Sequence, residues 1–207
     1  LHVGFDVSRP PFDDPRVRHA FVLAVDKQEM ADVHLGGQVF PATGGFVPPG
    51  MPGHSPGIGL PYDPEQARQL LNEAGYPNGR GFPSVEALAP GLRIDERVET
   101  RQLEAYWRDN LGLEFNWRPL EARAWRHRLS TDPPHLYLVA TMAEYPDPDD
   151  FLRASPFRRR TSWRNDAYDS LVEAARHETE LGRRIELYRQ ADAILVEEAP
   201  IMPIYYD

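Results

Sequence analysis

The run His135-Leu136-Tyr137-Leu138-Val139-Ala140-Thr141 lies between Pro133-Pro134 and the acidic segment Glu144-Tyr145-Pro146-Asp147-Pro148-Asp149-Asp150. A short, mostly apolar run framed by turn residues reads as a strand covered on both faces, and buried parallel strands commonly have this pattern. Groups that follow such a strand emerge at its carboxyl end, where α/β sheets place ligands. This segment therefore decides the fold class and points to the site at once.

Upstream of it, Leu113, Phe115 and Trp117 alternate with Glu114, Asn116 and Arg118, the period of a half-exposed strand. Val85 to Leu88 is a further candidate strand, and a helix is expected from about Ile94 to Asn110, ending near Gly112. Glu121 to Leu129 reads as a short helix. Asp63-Pro64 opens another, with Gln66 completing a capping-box pattern, Leu70, Leu71 and Ala74 on the inner face and Gly75 as the stop. Asp14-Pro15 starts the first helix, Asp as N-cap and Pro at the first helical position. Val17, Ala20, Phe21, Ala24 and Val25 give it a buried stripe, and Gly36-Gly37 is its expected end. Leu1 to Val7 is an entry strand. Between these elements, Pro41 to Pro61 is rich in Gly and Pro yet holds Phe46, Val47, Met51 and Ile58, so a loop packed on the domain is expected.

Downstream, Ala167 to His177 and Leu181 to Glu198 are expected helices, the second carrying Leu181, Ile185, Tyr188, Ala191, Ile194 and Leu195 on roughly one face. Ile201 to Tyr206 closes the chain as a strand, and Pro203 places it near a sheet edge. Strands separated by helices make the class α/β: a mixed sheet flanked by helices, joined by right-handed crossovers.

Composition bounds the function. The 207 residues suit one domain, and 41% hydrophobic with 27% charged residues is an ordinary globular balance. The 21 prolines fall mainly between periodic segments, as punctuation of long ordered loops. A net charge of -9 argues against a phosphate-binding surface, so no nucleic-acid partner is expected. The basic run Arg158-Arg159-Arg160 reads as a solvated loop or helix end. With no cysteine there is no disulfide frame and no thiolate metal site. The seven histidines lack H-x3-H or H-E-x-x-H spacing, and neither a Gly-x-Ser-x-Gly elbow nor a phosphate-binding glycine loop occurs, so no metal and no cofactor is expected. No apolar run approaches the roughly 20 residues that span a bilayer. Leu1 falls inside a candidate strand with neither an initiator Met nor a leader before it, so the chain is expected to be an excised piece of a longer protein.

The acidic segment carries the candidate chemistry. Glu144 beside Tyr145 suits pairing with a ligand ammonium while the ring packs alongside; a solvated loop is the competing reading. Asp149 and Asp150 stand where a helix begins at Phe151, which makes them dipole partners of its first turn. Asp147 between two prolines reads as a turn-fixing residue. Paired carboxylates also allow a glycosidase-like hydrolase using Glu144 and Asp147, which needs one carboxyl with a raised pKa.

Several stretches resemble the family 5 extracellular solute-binding proteins of ABC transporters, the oligopeptide, dipeptide and nickel receptor group. Pro11-Phe12-Asp13-Asp14-Pro15-Arg16-Val17-Arg18-His19-Ala20 with Ala24-Val25-Asp26-Lys27 is similar to the family's P-F-x-D-x-R-V-R-x-A and A-x-D-R/K. Pro41-Ala42-Thr43-Gly44 with Val47-Pro48-Pro49-Gly50 resembles its P-A-x-x-x-x-P-P loop, and Tyr62-Asp63-Pro64-Glu65-Gln66-Ala67 with Leu70-Leu71-Asn72-Glu73-Ala74-Gly75-Tyr76 its Y-D-P-E-x-A and L-L-x-E-A-G-Y segment. Glu144-Tyr145-Pro146-Asp147-Pro148 resembles its D-Y-x-D/E-P turn, and Asp169 to Leu171, Arg184, Tyr188 and Glu198-Ala199-Pro200-Ile201 its closing helices and strand.

The resemblance implies a type II periplasmic-binding-protein fold and residues 1–207 as a single carboxy-terminal ligand-binding lobe, domain III, of a two-lobe protein. It implies a substrate-binding component of an ABC importer, extracytoplasmic, that takes a peptide or other small solute without turnover and meets a membrane permease through the full-length protein. In peptide-binding members the acid of this turn holds the peptide amino group, a role that falls on Glu144. Members commonly carry a Trp three residues earlier, where Thr141 stands, and have an Arg three before that, where Leu138 stands. Arg128 is a candidate substitute, and Trp163 a candidate pocket wall that reads equally well as core. Arg16 and Arg18 are expected to pair within the lobe. Nickel or haem binding has no residue support. The rival reading is a ligand-sensing lobe of a transcriptional or signalling regulator.

Overall fold

The structure is a computed structural model that describes residues 1–91 and 97–207. Five strands form one mixed sheet: β1 (His2–Phe5), β3 (Ala87–Pro90), β4 (Trp117–Leu120), β5 (Leu136–Val139) and β6 (Ile201–Pro203), in the order β4-β3-β5-β1-β6. β3 runs parallel to both β4 and β5, whereas β1 is antiparallel to β5 and to β6. A separate ribbon pairs β2 (Phe40–Pro41) with β7 (Tyr205–Tyr206). β6 is an edge strand, as Pro203 predicts, since proline cannot donate to a ladder.

Alternation along each strand builds two faces. Val3 and Phe5 of β1, Leu136 and Leu138 of β5, and Met202 of β6 enter one core with α1 (Pro15–Leu23), α3 (Pro64–Glu73) and α4 (Val98–Leu111). Rings dominate it: Phe21 meets Phe12 at 5.1 Å and Trp107 at 4.9 Å between centroids, and the Trp107 indole donates to Phe21 O. On the other face, Tyr137 and Val139 pack with Trp125 and Leu129 of α5 (Ala122–Thr131). Beside them a second core joins Phe46 and Val47 to Phe157 of α6 (Phe157–Thr161), Tyr168 of α7 (Asp166–His177), Tyr188 of α8 (Leu181–Glu198) and Ile201.

The helix caps follow the sequence. The Asp14 side chain accepts from Arg16 N and that of Asp63 from Gln66 N, each before a proline at the helix start. The first helix differs from expectation at its end. It stops at Leu23, because Asp26 accepts from Glu29 N and caps a new short helix, α2 (Lys27–Glu29), that runs into a π-helical turn at Met30–His34. Gly36 and Gly37 follow that turn at φ of 66° and 70°. The alternation of Leu113, Phe115 and Trp117 is real in burial, but the strand begins only at Trp117, and the strand expected from Val85 begins at Ala87. Ile94 lies outside the described residues. Arg16 pairs with Asp14 and donates to Glu73 O, and Arg18 donates to Glu198 O and Phe12 O, so both arginines tie separate elements of the fold together.

Candidate functional site

At the carboxyl ends of β5 and β6 and the amino end of β1 lies a pocket of about 370 Å³. Ala140, Thr141, Met142 and Ala143 leave β5 along one side of it. Phe46 and Pro48 come from the Gly- and Pro-rich loop, and Phe151 from the turn after the acidic segment. Tyr205 and Tyr206 close the wall opposite, and His2 belongs to it from β1. The loop holding Phe46 and Val47 is packed rather than loose, as its apolar residues predict.

The acidic segment forms a preset turn at the rim. Asp149 and Asp150 are each 6% exposed. Asp150 Oδ2 accepts from Glu144 N at 2.8 Å, fixing the backbone of that residue. Asp149 accepts from the hydroxyls of Tyr145 and Tyr188, each at 2.7 Å, and from Arg153 at 2.5 and 2.6 Å. Burial pushes the Asp149 carboxyl up, but the bonds from Arg153, Tyr188 and Tyr145 outweigh it and hold the carboxyl at about 2. A helical turn does begin where Asp149 and Asp150 are expected to flank one, a π-helical turn at Asp150–Ala154 with Asp149 at its N-cap position and Asp150 in its first turn, but neither side chain caps it: both carboxylates accept from other side-chain and backbone donors around them. Chain order gave no sign of this, because Tyr188 reaches Asp149 from 39 positions away.

Asp147 does fix a turn, accepting from Asp149 N, and it also takes a two-pronged contact from Arg184 at 2.7 and 2.8 Å. Those bonds hold its carboxyl below the usual range, so Asp147 is ionised at neutral pH and is no proton donor. The two-carboxylate hydrolase thereby loses Asp147 as its acid. Glu144 itself is exposed, and its carboxylate has no hydrogen-bond or ionic partner among the described residues. It stands directly after Ala143 at the pocket's edge, without lining it. Tyr145 is 38% exposed, its hydroxyl committed to Asp149.

Of the sequence-derived candidates, the structure brings Thr141, Glu144, Tyr145 and Asp147 to this one corner. Trp163 and Arg128 lie elsewhere. Trp163 is 2% exposed, edge-on to Tyr168 at 4.9 Å, with its indole donating to Glu198 at 2.5 Å, which makes it core. Arg128 pairs with Glu86 at 2.6 Å and with Asp132, at the amino ends of β3 and β5, so the sheet separates it from the pocket. Arg158 of the basic run pairs with Asp169 across to α7. Among the described residues no group of three or more His, Asp or Glu side chains gathers as a metal site, and no helix is long and apolar enough to cross a membrane.

Sequence reasoning missed Asp192 of α8. It is fully buried, and its Oδ1 accepts from Phe46 N at 2.8 Å while Oδ2 has no partner among the described residues. Burial, against the backbone bonds from Phe46 and Val47, pushes its carboxyl up to about 7. Tyr206 donates to Gly45 O in the same loop, so α8 and β7 both hold the pocket's Phe46 wall. An aspartate on the apolar stripe of Leu181 to Glu198 was the one available sign.

The fold is that of the type II periplasmic binding proteins, a mixed sheet with flanking helices. Residues 1–162 match the model of the bacterial extracellular solute-binding proteins, family 5 Middle, and the chain belongs to that family. It is 27% identical over 216 residues to di/tripeptide-binding protein 2 of Pseudomonas aeruginosa (strain UCBPP-PA14), covering 98% of this chain and 39% of that protein. It is 30% identical over 214 residues to heme-binding protein A of Haemophilus influenzae, covering 98% and 38%. Among solved structures, the Escherichia coli murein tripeptide binding protein MppA matches with a TM-score of 0.87 at 26% identity, over 99% of this chain and 42% of that one. The dipeptide binding protein from Pseudoalteromonas sp. SM9913, in complex with Met-Leu, matches with a TM-score of 0.87 at 27% identity, over 99% and 42%. The chain thus spans about two fifths of the length of these relatives.

Proposed function

We propose that residues 1–207 are one ligand-binding lobe of a larger two-lobe protein, the substrate-binding component of an ABC importer that works outside the cytoplasm. It captures a peptide-like or other small solute without turnover and delivers it to a membrane permease through the full-length protein. The observation that carries this is Glu144: an unpartnered carboxylate, fixed through its backbone by Asp150, at the edge of an open pocket. A carboxylate so placed costs nothing to keep hydrated when the site is empty, and it gains a charge-assisted bond when an ammonium arrives. Family membership and the di/tripeptide-binding relatives support the same reading. Closure of a second lobe over the site would bury the ligand and strengthen that pairing.

Calorimetry of the full-length protein against di- and tripeptides tests this. Glu144→Gln removes the charge and keeps the shape, so affinity for peptides with a free amino terminus is expected to fall about tenfold or more, the worth of a hydrogen bond to a charged group. Unchanged affinity sinks the role given to Glu144. The lobe alone is expected to bind at best in the millimolar range, since half the contacts are missing; tight binding by residues 1–207 alone contradicts a two-lobe site.

A further inference from the structure

Arg160 departs from the rest of its basic run. Arg159 is exposed and Arg158 pairs with Asp169, whereas Arg160 is half-buried and its guanidinium has neither an ion pair nor a hydrogen bond among the described residues. The groups whose charge acts on it are Tyr137 and Arg159, neither of them a carboxylate. Arg160 belongs to α6, which packs against β1 and is tied to it where Val7 N donates to Thr161 O at 2.8 Å. Strand alternation puts His2 and Gly4 of β1 on one face, beside Val139 and Tyr137 of β5. The Tyr137 ring lies over Gly4, where a Cβ would come 2.0 Å from its Cζ, and its centroid is 6.5 Å from that of His2. Glycine at position 4 thus brings the Tyr137 hydroxyl over β1, the strand that α6 covers. Tyr137 is 0% exposed and His2 2%, and neither the Tyr137 hydroxyl nor His2 Nε2 has a hydrogen-bond partner among the described residues. Burial keeps that hydroxyl protonated. Burial, then the Leu1 ammonium, then Arg160 keep the His2 ring neutral, so Nε2 can carry its proton. Three donors gathered without an acceptor are costly, because buried polar groups lose their hydration unrewarded and a half-buried cation adds its own charge. A carboxylate answers all three at once: its two oxygens accept several bonds, and its charge opposes that of Arg160.

We propose that Arg160, the Tyr137 hydroxyl and His2 Nε2 together form a site for a carboxylate group. A guanidinium suits this role better than an ammonium, because its fork meets both carboxylate oxygens. His2 also lines the solute pocket, so a carboxylate carried by the captured solute is one source; a free small carboxylate such as acetate is the other. With the first source the solute is a zwitterion, its ammonium at Glu144 and its carboxylate at Arg160. That source rests on the capture reading above, whereas the second stands without it.

The test uses the full-length protein and has two arms. In the first, calorimetry compares alanine di-, tri- and tetrapeptides with a free carboxyl terminus against the same peptides as terminal amides. The free acids are expected to bind about tenfold tighter or more, the scale of a hydrogen bond between charged groups. Arg160→Gln is expected to erase that difference and Tyr137→Phe to reduce it, while Arg160→Lys should keep part of it. In the second arm acetate is titrated at constant pH and ionic strength and the melting temperature is followed. A rise in the wild type that Arg160→Gln lacks, with peptide acids and amides binding alike, identifies a free carboxylate as the occupant. Acids and amides binding alike, with no acetate effect or with one that Arg160→Gln shares, overturn the proposal. So does a preference for the acids that Arg160→Gln retains, which would put the carboxylate elsewhere. If Arg160→Gln does not fold, Tyr137→Phe carries both comparisons. If no peptide of either form binds, the capture reading fails, and the acetate arm still decides whether Arg160 holds a carboxylate.

Discussion

Asp192 Oδ1 lies 2.8 Å from Phe46 N, so a fully buried carboxylate on α8 holds the loop that walls the pocket. Because its folded pKa, about 7, stands above the ordinary 3.8, the native state binds the proton more tightly than the unfolded chain does. Stability is then greatest below pH 4, falls as pH rises towards 7, and levels off above it. Asp192→Asn keeps the acceptor and removes the titration. Urea midpoints at pH 4.5 and pH 8 should show the wild type losing several kcal/mol, at most about 4, that the variant does not lose. Equal pH slopes in the two proteins would contradict this.

Lys27 gives the opposite slope. It is 7% exposed, its ammonium donates to Ala42 O at 3.2 Å, and burial lowers its pKa to about 8. Below pH 8 the native state holds a charge it solvates poorly, and stability should rise as pH climbs from 8 towards 10.5. Lys27→Met is expected to raise stability at pH 7, by up to about 3 kcal/mol, read by thermal or urea unfolding. A destabilised variant at pH 7 would show that the Ala42 bond outweighs burial.

The Asp149 node should fail in acid. Its folded pKa of about 2 lies below 3.8, so its contribution is complete above pH 4 and is lost as pH falls to 2. Tyr188→Phe removes one donor and is expected to cost about 1 kcal/mol at pH 7. Asp149→Asn should cost more at neutral pH and converge with the wild type near pH 2. Ligand affinity should drop in Asp149→Asn, because Tyr145 loses the carboxylate its hydroxyl is bonded to. Full affinity in Asp149→Asn would detach the node from binding.

Gly45 answers to space. A Cβ there would come 1.8 Å from Asp192 Oδ2. Gly45→Ala must displace either the loop or the carboxylate, and an overpacking cost of about 1–3 kcal/mol is expected, with weaker binding of ligands that use Phe46. Adding Asp192→Ala should recover part of that loss in packing terms; additive losses in the double variant would mean that the two positions do not interact.

What the sequence could reveal followed from local rules. Asp14 and Asp63 cap helices because each needs only neighbours two or three positions on. Pro203 marked an edge strand because a missing donor is a property of the residue itself. The position of Glu144 after a buried strand was readable for the same reason. Asp149, Asp192 and Trp163 were not, since what they do depends on Tyr188, Phe46 and Glu198, partners distant in the chain. Arg128 shows the converse error. It precedes the strand in sequence and so sits at the wrong end of it, beside Glu86.

Each outer strand of the five carries a proline, Pro119 on β4 and Pro203 on β6. A proline on a margin withholds the donor that a foreign strand would need, so neither margin offers an unbroken template for growth. A sheet closed off in this way at both margins is a poor seed for an aggregate.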